Sequence, residues 1–165
     1  MNRSRTAPEL AALVSVGACL LAVVVPAFLR NLRFSKQSEA VDGLNTLVTN
    51  ALSYAEGRPQ DICFPPSAPL TPAEVPRGAP ALDPPEAWEH LTWKSLRFGF
   101  DAPHHFSFKF DSRLEPNSRV MHFTATAHGD LDGDEVLSTF EVRGARAPGQ
   151  APRVAPGLFV DREVE

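Results

Sequence analysis

Residues 10–29 read LAALVSVGACLLAVVVPAFL, without a single charge. At 1.5 Å rise per residue such a helix measures about 30 Å, the thickness of bilayer hydrocarbon, so the stretch is predicted to cross a membrane. A cleaved secretory signal is the competing reading, because Arg3 and Arg5 supply a basic start. The run exceeds an ordinary signal core, however, and leads into Arg30 rather than a small-residue cleavage site. Arg3 and Arg5 on one side, against Arg30, Arg33 and Lys36 on the other, leave orientation undecided by charge.

The residues on either side extend the helix. Thr6 can cap it, Pro8 suits a first turn, and Glu9 can reach back to the cap, which places the start near Ala7. Pro26 removes one backbone hydrogen bond and crowds the carbonyl of Ala22, so a bend is expected there. Beyond it, Ser35 to Ala55 lacks proline, and Val41, Leu44, Val48, Ala51, Leu52 and Ala55 recur at helical spacing, predicting an amphipathic helix that Gly57 and Pro59 end. Residues 57–91 then carry nine prolines, among them Pro65, Pro66, Pro84 and Pro85, and read as a stiffened surface connection.

Period-two alternation marks the rest. Leu96, Phe98 and Phe100, then Phe106, Phe108 and Phe110, then Met121, Phe123, Ala125 and Ala127 each predict a half-buried strand. Val136 to Val142 predicts another, after the hairpin loop 129–134 with its Asp-Gly step. The expected fold class is α+β: a long, partly transmembrane N-terminal helix packed on an antiparallel sheet of about four strands. Its parts are a short polar leader-like segment (1–9), the transmembrane half of the helix (10–29), the amphipathic half (30–56), the proline-rich connection (57–91) and the sheet domain with its tail (92–165).

Composition narrows the function. One domain is what 165 residues allow, and a formal charge of -4 without a basic run argues against a nucleic-acid partner. Cys19 and Cys63 stand in segments too different in character to suggest an internal disulfide, although Cys63 could remain a free thiol or join another subunit. No phosphate loop, nucleophile elbow or Ser-His-Asp grouping stands out, so the chain reads as a non-enzyme.

Glu9 heading the uncharged run, Pro-Ala-Phe-Leu at 26–29 and Phe-Ser-Lys-Gln-Ser-Glu-Ala at 34–40 resemble the N-terminus of a type IV pilin or pseudopilin. The stretches 93–98, 106–110 and 123–134 resemble the sheet of the short delta-proteobacterial pilins. The resemblance implies a pilin-like fold and a structural subunit of a type IV pilus or type II secretion pseudopilus. Such a chain would sit in the bacterial inner membrane with its C-terminal domain outside, and its partners would be other pilin subunits and a prepilin peptidase. Glu9, Gly17, Pro26 and Phe28 would then serve assembly. Aligning Glu9 with the family glutamate puts Ser4 and Arg5 at the processing site, where the family has a glycine and a phenylalanine. The alternative is a permanently membrane-anchored binding or adaptor protein on the same scaffold.

Asp130, Asp132 and Asp134 are hard oxygen ligands at a spacing that could gather on calcium, but Gly133 and the following strand pattern depart from a helix–loop–helix calcium hand, so a solvated hairpin is the favoured reading. His104, His105, His122 and His128 read as surface residues rather than a zinc set, and Trp88 and Trp93 as core closure.

Overall fold

The computed structural model describes residues 7–161, with the side chains of 7, 9–13, 27 and 29–35 outside the described set. Helix α1 (Ala7–Ala55) contains Pro26. It is followed by β1 (Ala68–Thr71), the short helix α2 (Leu91–Leu96), β2 (Phe106–Leu114), β3 (Met121–Gly129), β4 (Ser138–Arg146), β5 (Arg153–Val154) and β6 (Phe159–Asp161), with single 3-10 turns at Gln60–Ile62 and Pro85–Trp88. Two compact units divide the chain, Met1–Ser35 and Lys36–Glu165.

In the first unit the described apolar side chains face outward: Val14, Leu21 and Val23 are 63–70% exposed. In the second, the strands run in the order β1-β2-β3-β4-β5, and β6 also pairs with β4. The central ladder is antiparallel and unbroken, from Phe106 opposite Gly129 to Leu114 opposite Met121, and from Met121 opposite Arg146 to Gly129 opposite Ser138.

Alternation along these strands makes one apolar face. Phe106, Phe108 and Phe110 of β2 and Phe140 of β4 flank the small Ala125 and Ala127 of β3, so large and small side chains interleave. Ala40, Leu44, Leu47, Ala51 and Ala55 of α1 belong to the same core. At Gly43 an added Cβ would stand 2.5 Å from the Phe108 ring, so the absence of a side chain lets the helix rest on that ring. Glu39 adds a polar tie: its Oε1 accepts the backbone N–H of His105 at 2.7 Å and of Phe106 at 3.1 Å, fixing the start of β2 to the helix.

The expected fold class needs correcting. The sheet has six strands rather than about four, and the helices after α1 are short. Nor is there a pilin-like long apolar helix crossing a bilayer, because among the described residues no helix is long and apolar enough to cross a membrane. Beyond Ser35, α1 carries Glu39, Asp42, Asn45 and Asn50. The inner-membrane, single-pass placement is corrected on the same ground.

Smaller expectations shift too. The alternation at Leu96, Phe98 and Phe100 forms no strand: His90 accepts the N–H of Thr92 through its ring, starting α2, and Arg97 turns left-handed (φ 47) to end it. Buried Leu96 thus closes α2, and buried Phe98 follows just beyond the turn at Arg97. The proline-rich connection is not wholly superficial. It supplies β1, whose Pro69 sits on an edge strand where its missing donor is tolerated, and it buries Cys63 and Phe64 in the core.

Gly43→Ala tests the helix–sheet seat. Helix propensity alone favours alanine by about 1 kcal/mol, whereas overpacking a close-packed ring costs about 1–3 kcal/mol. Urea denaturation of the full chain is expected to show net destabilisation.

Candidate functional site

Three groups of residues carry what chemistry the chain offers. The first is the outward apolar surface of α1 in the unit Met1–Ser35. Val14, Val16, Leu20, Leu21, Val23, Val24, Val25 and Phe28 are each 47–70% exposed. Large aliphatic side chains at successive positions leave no polar face on this part of the helix, and contiguous exposed apolar surface of this kind marks an interaction site. Gly17 lies within it, with no atom inside 4 Å of where a Cβ would be, so a second backbone can approach there without displacing anything in the chain itself. Pro26 and Phe28 are exposed on the same helix. Ser4 and Arg5 lie outside the described residues, as does the side chain of Glu9.

The second is the β3–β4 loop. Asp130, only 1% exposed, accepts the N–H of Gly133 on Oδ1 at 2.7 Å and of Glu135 on Oδ2 at 3.1 Å. Asp132 and Asp134 cap the next two N–H groups, of Asp134 at 3.4 Å and Val136 at 2.8 Å. The turn thus uses each carboxylate as a backbone cap, the local bonding that suits aspartate to turns. Gly133 holds a φ of +83, a left-handed value that glycine takes without strain. One oxygen from each of the three aspartates lies within 4.8 Å of the others. These are the residues that could hold a hard cation, while their present partners make Asp130 an organiser of the hairpin.

The third group is the histidines, and here the expected surface placement is wrong for one. His104 is 1% exposed, with Nδ1 3.0 Å from the carbonyl oxygen of Phe106 and Nε2 3.0 Å from Oδ2 of Asp83. A carbonyl only accepts, so Nδ1 is the donor to Phe106. Reciprocal backbone bonds between Ala81 and His104, 2.9 Å each, tie the proline-rich connection to the sheet at the same place. His105 meets Glu39 at 3.2 Å, and His128 bonds Thr139 at 2.9 Å on the sheet face away from α1. Burial holds the His128 imidazole below its ordinary range, helped by the Lys109 charge and opposed by Glu141. The four histidines form no common cluster with metal-ligand spacing among the described residues.

Cys63 is fully buried and its thiol is pushed up by that burial, against the pull of Arg146, so it presents no surface for joining another subunit. Cys19 is exposed on α1. Trp88 and Trp93 close the core edge to face at 5.6 Å, as expected, and Trp93 donates to Thr71 at 3.0 Å.

Two measurements check these assignments. Asp130→Ala leaves two N–H groups without their carboxylate acceptor, a loss of roughly 2–6 kcal/mol at about 1–3 kcal/mol for each, read by urea denaturation. For His128, a depressed folded pKa means that the unfolded chain binds the proton first. Its contribution to stability is therefore full above the unfolded value of about 6.5 and lost as pH falls toward the folded value. Stability measured from neutral to mildly acid pH should fall less steeply in His128→Gln than in the parent chain.

Comparisons with protein-family models, with curated proteins and with solved structures found no match for this chain.

Proposed function

We propose that the chain is a non-catalytic structural subunit that assembles with further copies, or with related subunits, by packing the apolar first part of α1 against the same part of its neighbours. The observation that carries this is the exposure of Val14, Leu20, Leu21, Val23 and Phe28, each 60% or more. Covering one large aliphatic side chain contributes about 1.5–3 kcal/mol, so a surface with several of them has a strong drive to find a cover. The resemblance of residues 9–40 to pilins supplies the form of assembly, a filament in which such helices bundle. Gly17, Ala18 and Ala22 give the small surface that close helix approach needs.

A binding or adaptor role without filament formation is the second reading. It draws on the Ser4-Arg5 pair, which stands where the pilin cut would require a glycine and a phenylalanine.

Gly17→Leu separates the two. The position is open in the subunit itself, so folding measured by circular dichroism and urea denaturation should be unchanged. In a filament subunit the added side chain holds helices apart, and assembly followed by electron microscopy and sedimentation should drop or disappear. Unchanged sedimentation of a chain that never forms filaments would favour the adaptor.

A further inference from the structure

The sheet of the second unit has two ends of opposite charge. At the β3–β4 end, Asp132, Asp134, Glu135 and Glu74 are exposed, and the cations beside them are Arg77, which pairs with Glu135 at 2.6 Å, and Lys36, which reaches the carbonyl of Gly78 at 3.5 Å. A cavity of about 630 Å³ bordered by Glu74, Arg77, Asp130 and Glu135 joins these residues into one surface. The opposite end, reached along the nine residues of β3, lies roughly 26 Å away at 3.3 Å per residue. There Arg113 stands opposite His122 on the neighbouring strand, and Arg153 stands opposite Ala145.

Two adjoining hollows open at this second end, of about 370 and 420 Å³, and both are bordered by His122, Arg143 and Gly144. Arg113 lines one together with Asp111, and Arg153, Ala145 and Val154 line the other, giving a rim in which cations outnumber the acid over a small apolar floor. The acids nearby are largely engaged: Asp111 with Lys109 at 2.7 Å, Glu141 with Arg143, and Glu115 with Ser118 at 2.6 Å and His122 at 3.7 Å. Arg113 acts on the Glu115 carboxylate through its charge without a close ion pair, Arg153 has no close ion pair among the described residues, and both are exposed.

We infer that this basic groove receives the acidic β3–β4 loop of a second copy of the same chain, a head-to-tail contact between sheet domains. The occupant is argued from charge and shape together. The loop presents Asp134 and Glu135 on a tight turn followed by half-exposed Val136 and Leu137, the pairing of acid and aliphatic groups that matches a basic rim over an apolar floor. Because the two surfaces are different and lie at opposite ends, each copy that docks leaves one of each surface open, and such a contact propagates instead of closing into a dimer. The inference rests on the filament reading above, to which it adds the contact between sheet domains.

The experiment uses the full chain, comparing self-association of the parent with Arg113→Glu/Arg153→Glu, with Glu74→Lys/Asp134→Lys, and with all four changes combined. Each double variant should associate at least about tenfold more weakly, the combined variant should return to the parent level, and parent association should weaken as salt rises from about 50 mM to about 500 mM, because exposed charge pairs are screened. Circular dichroism of each variant guards against loss of folding. If Gly17→Leu abolishes assembly while the charge variants assemble like the parent, the groove contact is overturned and the helix reading stands. If the charge variants fail and Gly17→Leu assembles, the helix reading falls and the groove contact stands. A parent chain that stays monomeric overturns both. Equal binding of an unrelated acidic peptide to the groove, without self-association, assigns it to a different protein and overturns the second-copy proposal.

Discussion

A sheet carrying five large phenylalanines on one face cannot remain uncovered in water, and the second half of α1 is what covers it. The contact is shaped by absences. Gly43 lets the helix rest against the Phe108 ring, Gly129 makes the same room for Phe106, and Gly144 for Phe123. Ala125 and Ala127 keep the middle strand low between the rings of its neighbours. A close-packed interior of this kind has little slack, so the position of α1 on the sheet is set to within the size of a methyl group. The other features of the second unit are arranged around that seat.

The polar groups at its ends are consequences of the same packing. Glu39 meets the N–H groups of His105 and of Phe106, the first residue of β2, because the helix brings it there. Arg146, at the other end of the sheet, donates to the carbonyls of Ala55 at 2.8 Å and Arg58 at 3.0 Å, where α1 finishes and its last carbonyls need donors. A cation at a helix C-terminus also opposes the negative end of the helix dipole. Asn50 donates to the carbonyl of Leu96 at 2.7 Å and attaches α2 to the same helix. Burying polar groups stabilises a fold only when each finds its partner, and for Glu39, Arg146 and Asn50 the partners come from elements distant in sequence.

That distance explains what the sequence made legible. The three long strands were visible in their alternation of phenylalanine and alanine with serine, threonine and lysine, and the hairpin was visible in its aspartates and glycine. In α1, Leu44, Ala51 and Ala55 were placed correctly on the buried face, but Leu47 and Ala40 were missed, and Val41, Val48 and Leu52 lie only at its margin. The expected stripe was rotated because apolarity alone does not reveal that a glycine, Gly43, marks the line of closest approach. The short strands β1, β5 and β6 carry no periodic signal: they are two to four residues long and exist because a longer strand offers them an edge. The burial of His104 was hidden for a related reason, since its partner Asp83 stands in a proline-rich segment that composition alone describes as surface.

The candidate surfaces divide along the same line. The apolar stretch of α1 was evident as a run of uncharged residues, but uninterrupted apolarity is equally the mark of a membrane span, a buried core helix or a bundle of like helices, and a run of letters does not distinguish among them. Its exposure in the single chain says only that a cover is missing. The charge division of the sheet was not legible at all, because Arg113, His122, Arg143 and Arg153 are scattered over four strands and meet only through strand register. An apolar helix surface supplies drive without direction, since burial of hydrocarbon is nearly indifferent to orientation. Opposite charges at two ends of a rigid sheet supply direction with little drive, since exposed ion pairs are individually weak. A chain that carried both would have what repeated, oriented association requires: one surface to make contact favourable and another to decide which way the next copy faces.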